Sequence, residues 1–430
     1  MTSPSPELTP MPQKTCVFTS AALNYIPKVR LLFNSLRELH PEIELHLALS
    51  DLLPEDVDLS NEPFDEVHPL STLNIPDVKG WAFCHNIVEL STAIKPFLLQ
   101  KLLEREDVGR VLYFDPDMVL FSRVDDLLDA LDNANVILTP HQVEPETRLR
   151  AVIDNEICSL KHGVYNLGFV GVSATDEGMR FAEWWKQRIY YFCRVDIPHG
   201  LFTDQRWIDL VPAFFSNVAI IRSPRHNVAP WNLTTREITG NFNDGFEVNG
   251  EPLGFYHFTG FDSGAHRIMA AVNGQSGSQA GVLIDWYANV TEHLASDSLT
   301  QKRWAYGAYS NGEKIQPLHR LIYRERVDLQ RAFADPFDAS NDGFHGWIQG
   351  QAKLEYPGVD GGPLGESLLQ LKQQLTAGFT LNHPESLQWR RISRLAGDAI
   401  SSPRHVGRYA KRAWEILKQE GLSGIKRRLA

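Results

Sequence analysis

VLYFDPDMVLF, residues Val111 to Phe121, is the stretch on which the fold turns. Its β-branched and aromatic residues give it the composition of a buried strand. Yet Asp115 and Asp117 stand two apart in its middle, with Pro116 between them. Burying two carboxylates is costly unless positive charge compensates them. The proline cannot donate to a sheet ladder and bends the chain out of it. Two aspartates so placed at a strand end suit a hard divalent cation, and their oxygen ligands favour Mg²⁺ or Mn²⁺. The competing reading is a solvated turn, since Asp-Pro-Asp is turn-prone.

Working outward, KTCVFTSAALNY (14–25) reads as a first strand running into a loop. Val29, Leu32, Phe33, Leu36 and Leu39 follow at helical spacing, and Pro41 stops that helix. IELHLALSD (43–51) alternates as a second strand, so the order strand–helix–strand predicts parallel α/β packing. STAIKPFLLQKLLERED (91–107) reads as one helix disturbed by Pro96. After the aspartates come a short helix in VDDLLDALDNA, a strand in VILTPH, and a Gly-rich strand in HGVYNLGFVGVSA (162–174). EGMRFAEWWKQRIYYF reads as a helix whose aromatics serve packing, and FTDQRWIDLVPAFF (202–215) as a loop entering a short helix. NDGFEVNGEPLGFYHFTG (243–260) sets turn pairs between β-prone runs. From about residue 265 the pattern is helical and loop-rich.

The composition is that of a soluble globular chain: 430 residues, 43% hydrophobic and 22% charged. A net charge of −11 argues against a general nucleic-acid binder. Cys16, Cys84, Cys158 and Cys193 share no CxxC spacing, so a zinc or disulfide framework is not expected, and reduced thiols suit a cytoplasmic protein. MTSPSPELTPMPQ has neither the basic nor the apolar region of a secretory signal and reads as a disordered lead-in. Residues 401–430 hold eight Lys/Arg and two Glu, a basic tail on an acidic body. Val406, Tyr409, Ala413 and Ile416 share one helical face there. The tail therefore reads either as a basic amphipathic helix docking peripherally on the inner face of a membrane, or as a terminal helix packed on its own domain.

The motifs around the aspartates resemble, in order, those of GT-A glycosyltransferases, most closely the retaining enzymes of glycosyltransferase family 8. VLYFDPDMVLF is similar to the DxD segment of that family. CVFTSAALNY resembles its first strand and nucleotide-binding loop, which puts Thr19, Ser20, Asn24 and Tyr25 near the base and ribose. STAIKPFLL resembles the helix ahead of DxD, with Lys95 where the family usually has Arg. YNLGFVGV resembles the Asn-x-Gly strand, placing Asn166 and Gly168 at the donor–acceptor junction. FTDQRW resembles the Asp-Gln motif, placing Asp204 and Gln205 beside the transferred sugar. HFTG resembles the start of the HxxGxxK motif, which makes His257 a third metal ligand beside Asp115 and Asp117 and brings Gly260 to the donor. One departure stands out: Ser263 occupies the place of that motif's lysine, so a phosphate contact is either lost or supplied by His266 or Arg267.

The resemblance implies a Rossmann-like GT-A nucleotide-sugar-binding domain over 14–265, a helical extension over 266–400 and the basic helix over 401–430, after the lead-in 1–13. It implies transfer of a sugar, with retention, from a UDP-linked donor to a glycan or lipid-linked acceptor, with Mn²⁺ or Mg²⁺ as cofactor. Lys95, Asp204 and Gln205 would then be catalytic stabilisers and positioners. Asp204 is also in place to cap the following helix, and Lys95 to sit on a helix surface. His141 and His162 are candidates for the acceptor side, and Trp231, between Pro230 and Asn232, reads as a loop residue open to either a packing or a sugar-contact role. Three rivals remain open. A haloacid-dehalogenase-like phosphatase would use Asp115 as nucleophile, since DPDMV fits its DxDx(T/V) pattern, although here two strands precede it. A nucleotidyltransferase would want a Gly-rich basic first loop, which TSAALNY is not. A non-catalytic glycan-binding protein would retain the site without turnover.

Overall fold

The computed structural model describes residues 13–356 and Val359. Its centre is a mixed α/β sheet of seven strands, mostly parallel. In chain order the first are β1 (Lys14–Ala21), β2 (Glu44–Leu49), β3 (Glu66–Pro69), β4 (Val108–Phe114), β5 (Met118–Leu120), β6 (Val136–Pro140) and β7 (Tyr165–Ser173). The sheet runs β3-β2-β1-β4-β7-β6 and ends on strand Val218–Ile220. β1 is parallel to β2 and β4, and only β7 runs antiparallel, against both β4 and β6. β1 and β7 are buried almost throughout, which explains their near-continuous apolar character. Helix α1 (Ile26–Leu39) closes the expected β1–α1–β2 unit, with Pro27 in its first turn and Val29, Leu32, Phe33 and Leu36 buried in the core.

The stretch read as a single strand is two. β4 ends at Phe114, and the Asp115 amide makes a last bond of 2.7 Å to the Gly168 carbonyl. Pro116 has no N–H, so the ladder stops and the chain turns, with the Met118 amide donating to the Asp115 carbonyl at 3.1 Å. The two aspartates are thus half-buried in a turn rather than buried in a strand. β5 then pairs antiparallel with strand Phe255–His257, and the register sets His257 opposite Met118. The helix expected over 91–107 also divides, into Ile87–Ala93 and Lys95–Leu103, just ahead of Pro96. β3 and helix Val78–Phe83 had no clear sequence signal: the strand is short, and the helix starts from Asp77 at φ +47°.

The turn-rich run before His257 forms the antiparallel strands Ile238–Asn241, Gly245–Val248 and Glu251–Pro252. The compact unit that holds the sheet extends to Ile315, so the boundary expected near residue 265 falls inside it. Helix Ala280–Leu294 belongs to its core: Tyr287 stacks on Phe258 at 3.9 Å with the rings 3° from parallel. A second unit begins at Gln316. Its described part is helical, including Pro317–Glu325 and Phe344–Gln349, joined by an edge contact of Tyr323 on Phe344 at 5.1 Å. The lead-in and the basic helix expected at 401–430 lie outside the described residues. Among the described residues no helix is long and apolar enough to cross a membrane.

Candidate active site

A cavity of about 780 Å³ opens beyond the carboxyl ends of β1 and β4. That is within the range of small-molecule sites. Every candidate site residue named from the sequence lines it except Thr19 and Arg267. Side chains alternate along a strand, so Ser20 faces the cavity while its neighbour Thr19 is buried away from it.

At the cavity floor the turn after β4 presents Asp115 and Asp117, and the strand paired with β5 presents His257. His257 Nε2 lies 3.1 Å from Asp117 Oδ1 and 3.8 Å from Asp115 Oδ2. One ligand atom from each of the three falls within 4.8 Å of the others. Burial pushes the Asp117 carboxyl up, but a protonated His257 ring beside it, with the charge of Lys28, outweighs this and holds it below its usual value. Two carboxylate oxygens and an imidazole nitrogen are a donor set that a divalent cation can use. Gly168 keeps the floor open: a Cβ there would come within 2.5 Å of Met118 Cε, 2.7 Å of His257 Cε1 and 2.9 Å of Asn166 Oδ1.

Lys95 is the buried cation beside this cluster, not a helix-surface lysine. Its ammonium lies 3.2 Å from Asp115 Oδ1, 3.3 Å from Asp204 Oδ2 and 3.1 Å from the Leu167 carbonyl, above the Tyr113 ring. Burial works against its charge, but Asp115 and Asp204 outweigh that and hold its pKa well above the ordinary value. Burial pushes Asp204 up to about 6, Asp115 adds to this, and Lys95 opposes it. Tyr113 ties β1 to the cluster, donating to Asp115 Oδ1 and meeting Ser20 Oγ at 3.1 Å.

Asp204 stands at the start of helix Gln205–Ile208, but its side chain makes no capping bond. Gln205 is held at both ends of its amide. Its Oε1 accepts from the Leu167 amide at 3.1 Å, and its Nε2 donates to the His162 carbonyl at 3.0 Å. It is a strut between β7 and the helical segment 149–162.

The sequence did not point to that segment, which adds Asp154, Asn155, Cys158 and Ser159 to the cavity wall beside His162. Nor did it point to Lys28, which pairs with Asp262 and sits 4.4 Å above the Tyr25 ring. Lys28 follows Tyr25 by three residues on α1, and that spacing was the available signal. Neither substitute suggested for the missing lysine at Ser263 is free. The His266 ring bonds the Thr259 carbonyl and Tyr256, and Arg267 pairs with Asp285 at 2.9 Å.

No protein-family model matches the chain. It is similar to YfnF of Bacillus subtilis (strain 168), 30% identical over 176 residues, which is 40% of this chain and 57% of that protein. YfnD of the same organism is 26% identical over 250 residues, 56% of this chain and 76% of YfnD. The chain thus spans less than two thirds of YfnF's length. Similar solved structures include the galactosyltransferase LgtC with donor and acceptor sugar analogues, at 17% identity and a TM-score of 0.37, over 61% of this chain and 96% of LgtC. A glycosyltransferase involved in glycosylating the major capsid of PBCV-1 matches at 9% identity and 0.34, over 60% and 99%. The glycosyltransferase GlyE of Streptococcus pneumoniae TIGR4 matches at 13% and 0.32, over 51% and 47%.

Proposed function

We propose that the protein is a metal-dependent glycosyltransferase that moves a sugar from a nucleotide-sugar donor, UDP-linked, to a glycan or lipid-linked acceptor, with retention. The observation that carries this is the convergence of Asp115, Asp117 and His257 on the floor of a cavity whose wall holds a Lys95–Asp204 ion pair. The order of motifs that resembles glycosyltransferase family 8 supports the choice of reaction.

A divalent cation held by Asp115, Asp117 and His257 would supply the Lewis acid that a diphosphate leaving group needs. Ser20, Asn24 and Tyr25 line the same cavity and would take the base and ribose. Lys95 is positioned to add a second positive charge beside the phosphates. The sugar's C1–O bond breaks with its electron pair going to the phosphate oxygen. The acceptor oxygen bonds C1 from the same side, and its proton passes to the departing phosphate. The Asp204 carboxylate faces the charge that develops at C1. Gln205, with both amide ends engaged, positions rather than attacks. A phosphatase would have to attack through Asp115 Oδ2, since Lys95 and Tyr113 engage Oδ1.

The test is donor hydrolysis: each nucleotide sugar with Mn²⁺, reading released nucleotide, with and without a chelator. Metal-dependent release that disappears in Asp117→Asn, with the circular dichroism spectrum unchanged, is expected. Full activity in that variant removes the metal assignment. Trapping of a phosphate-mimicking fluoride at Asp115 would favour the phosphatase.

A further inference from the structure

Behind the three candidate ligands, four side chains form one hydrogen-bonded chain whose direction is fixed at its ends. His141 Nδ1 lies 3.2 Å from the Val164 carbonyl, which can only accept, so this nitrogen carries the proton. In the neutral ring His141 Nε2 is then an acceptor, and Asn166 Nδ2 faces it at 3.3 Å. The same Nδ2 lies 3.4 Å from Gln205 Oε1, an atom pinned as acceptor by the Leu167 amide. Reversing the Asn166 amide would set oxygen against two acceptors, so its orientation is determined. Asn166 Oδ1 thus faces His257 Nδ1, at 3.2 Å, and that nitrogen donates. In the neutral ring His257 Nε2 is then a lone pair directed at the oxygens of Asp117 and Asp115, where the charged ring would place a second proton. A lone pair facing carboxylates is repulsive unless a cation or proton lies between them.

We propose that His141, acting through the Asn166 amide, is a positioning residue that fixes His257 in its Nδ1–H form and reserves Nε2 for a divalent cation. The inference rests on the metal reading above and adds residues that do not touch the ion. Packing supports it. Trp231 meets both rings edge-on, His141 at 5.2 Å and His257 at 5.5 Å, and so limits their rotation. Asn232 holds the His141 carbonyl at 3.2 Å. Partners of this kind typically contribute 10- to 100-fold to metal affinity.

The experiment titrates Mn²⁺ into full-length wild-type protein and the His257→Ala, His141→Ala and His141→Gln variants. Long-range ¹⁵N spectra of ring-labelled wild type with Mg²⁺ provide the second measurement. Expected are the Nδ1–H form at His141, a loss of about 10- to 100-fold in Mn²⁺ affinity in His141→Ala, and recovery of most of it in His141→Gln, whose amide oxygen can accept from Asn166. An Nε2–H form at His141 overturns the proposal, as does wild-type affinity in His141→Ala while His257→Ala is impaired; either leaves the metal reading standing. Absence of Mn²⁺ binding by wild type sinks both. The ring spectrum of wild type decides the matter even where His141→Ala fails to fold.

Discussion

Gly168 shows how little room a single residue leaves at the cluster. An alanine methyl would meet the tip of Met118, which can swing aside, but also the His257 ring and the Asn166 amide, which hold each other. Gly168→Ala is therefore expected to destabilise the fold by about 1–3 kcal/mol, as overpacking does. It should also weaken Mn²⁺ binding further than its loss of melting temperature accounts for; calorimetry of binding and unfolding on the same sample checks this. Lys95→Met removes the ammonium between Asp115 and Asp204 and strands a buried carboxylate. A cost of about 3 kcal/mol in urea denaturation is expected, partly regained in Lys95→Met with Asp204→Asn. An unchanged midpoint in the single variant would show the pair to be dispensable for folding. Of these residues, Asp115 and Asp117 were legible from the chemistry of their spacing, while Lys95, Asn166, Gly168 and His257 were reached through the resemblance of short motifs. Partnerships were not. That Lys95 reaches both Asp115 and Asp204, or that Asn166 orients His257, depends on a strand register that residue spacing does not encode.

At the level of elements, β1, β2, β6, α1 and the long helix Asp176–Phe192 followed from composition, hydrophobic period and stop signals. The break after β4 was signalled by Pro116 although composition alone favoured one continuous strand; what the sequence did not show was the pairing of β5 with the strand that carries His257. β2 and β3 carry a second histidine pair, His46 and His68, with Nδ1 and Nε2 3.2 Å apart and the Lys101 ammonium 3.1 Å from the far nitrogen of His68. Burial lowers His46 to about 4, and burial with the charge of Lys101 lowers His68 to about 3. Both are neutral when folded, while the unfolded chain takes up protons near the ordinary histidine value of about 6.5. Their contribution to stability is therefore complete above that pH and lost progressively as pH falls from there toward 4. The melting temperature should decline over that window, and His68→Gln should flatten part of the slope. A slope identical to wild type would assign the acid sensitivity to other groups.

On the scale of the whole chain, every described residue of the candidate site belongs to the unit that ends at Ile315. A chain stopped there is expected to unfold in one cooperative transition and to retain Mn²⁺ and nucleotide binding. A chain stopped at 265 should not fold, because it lacks the Tyr287 ring under Phe258 and the amide of Ala305 that bonds Asp51 at 2.9 Å. Thermal unfolding of the two truncations separates these outcomes. Helical period announced the later segments but not which core they join, since aromatic stacking across distant sequence leaves no local pattern. The pairing of β5 with strand Phe255–His257 has a temporal consequence. His257 meets Asn166 from 91 positions away along the chain, and contacts of such separation bear a large loop-closure cost before they are rewarded. The three ligands should come together only as the last strand docks, so an ion added to refolding protein would find no foothold early. It would instead slow unfolding by holding that final seam shut.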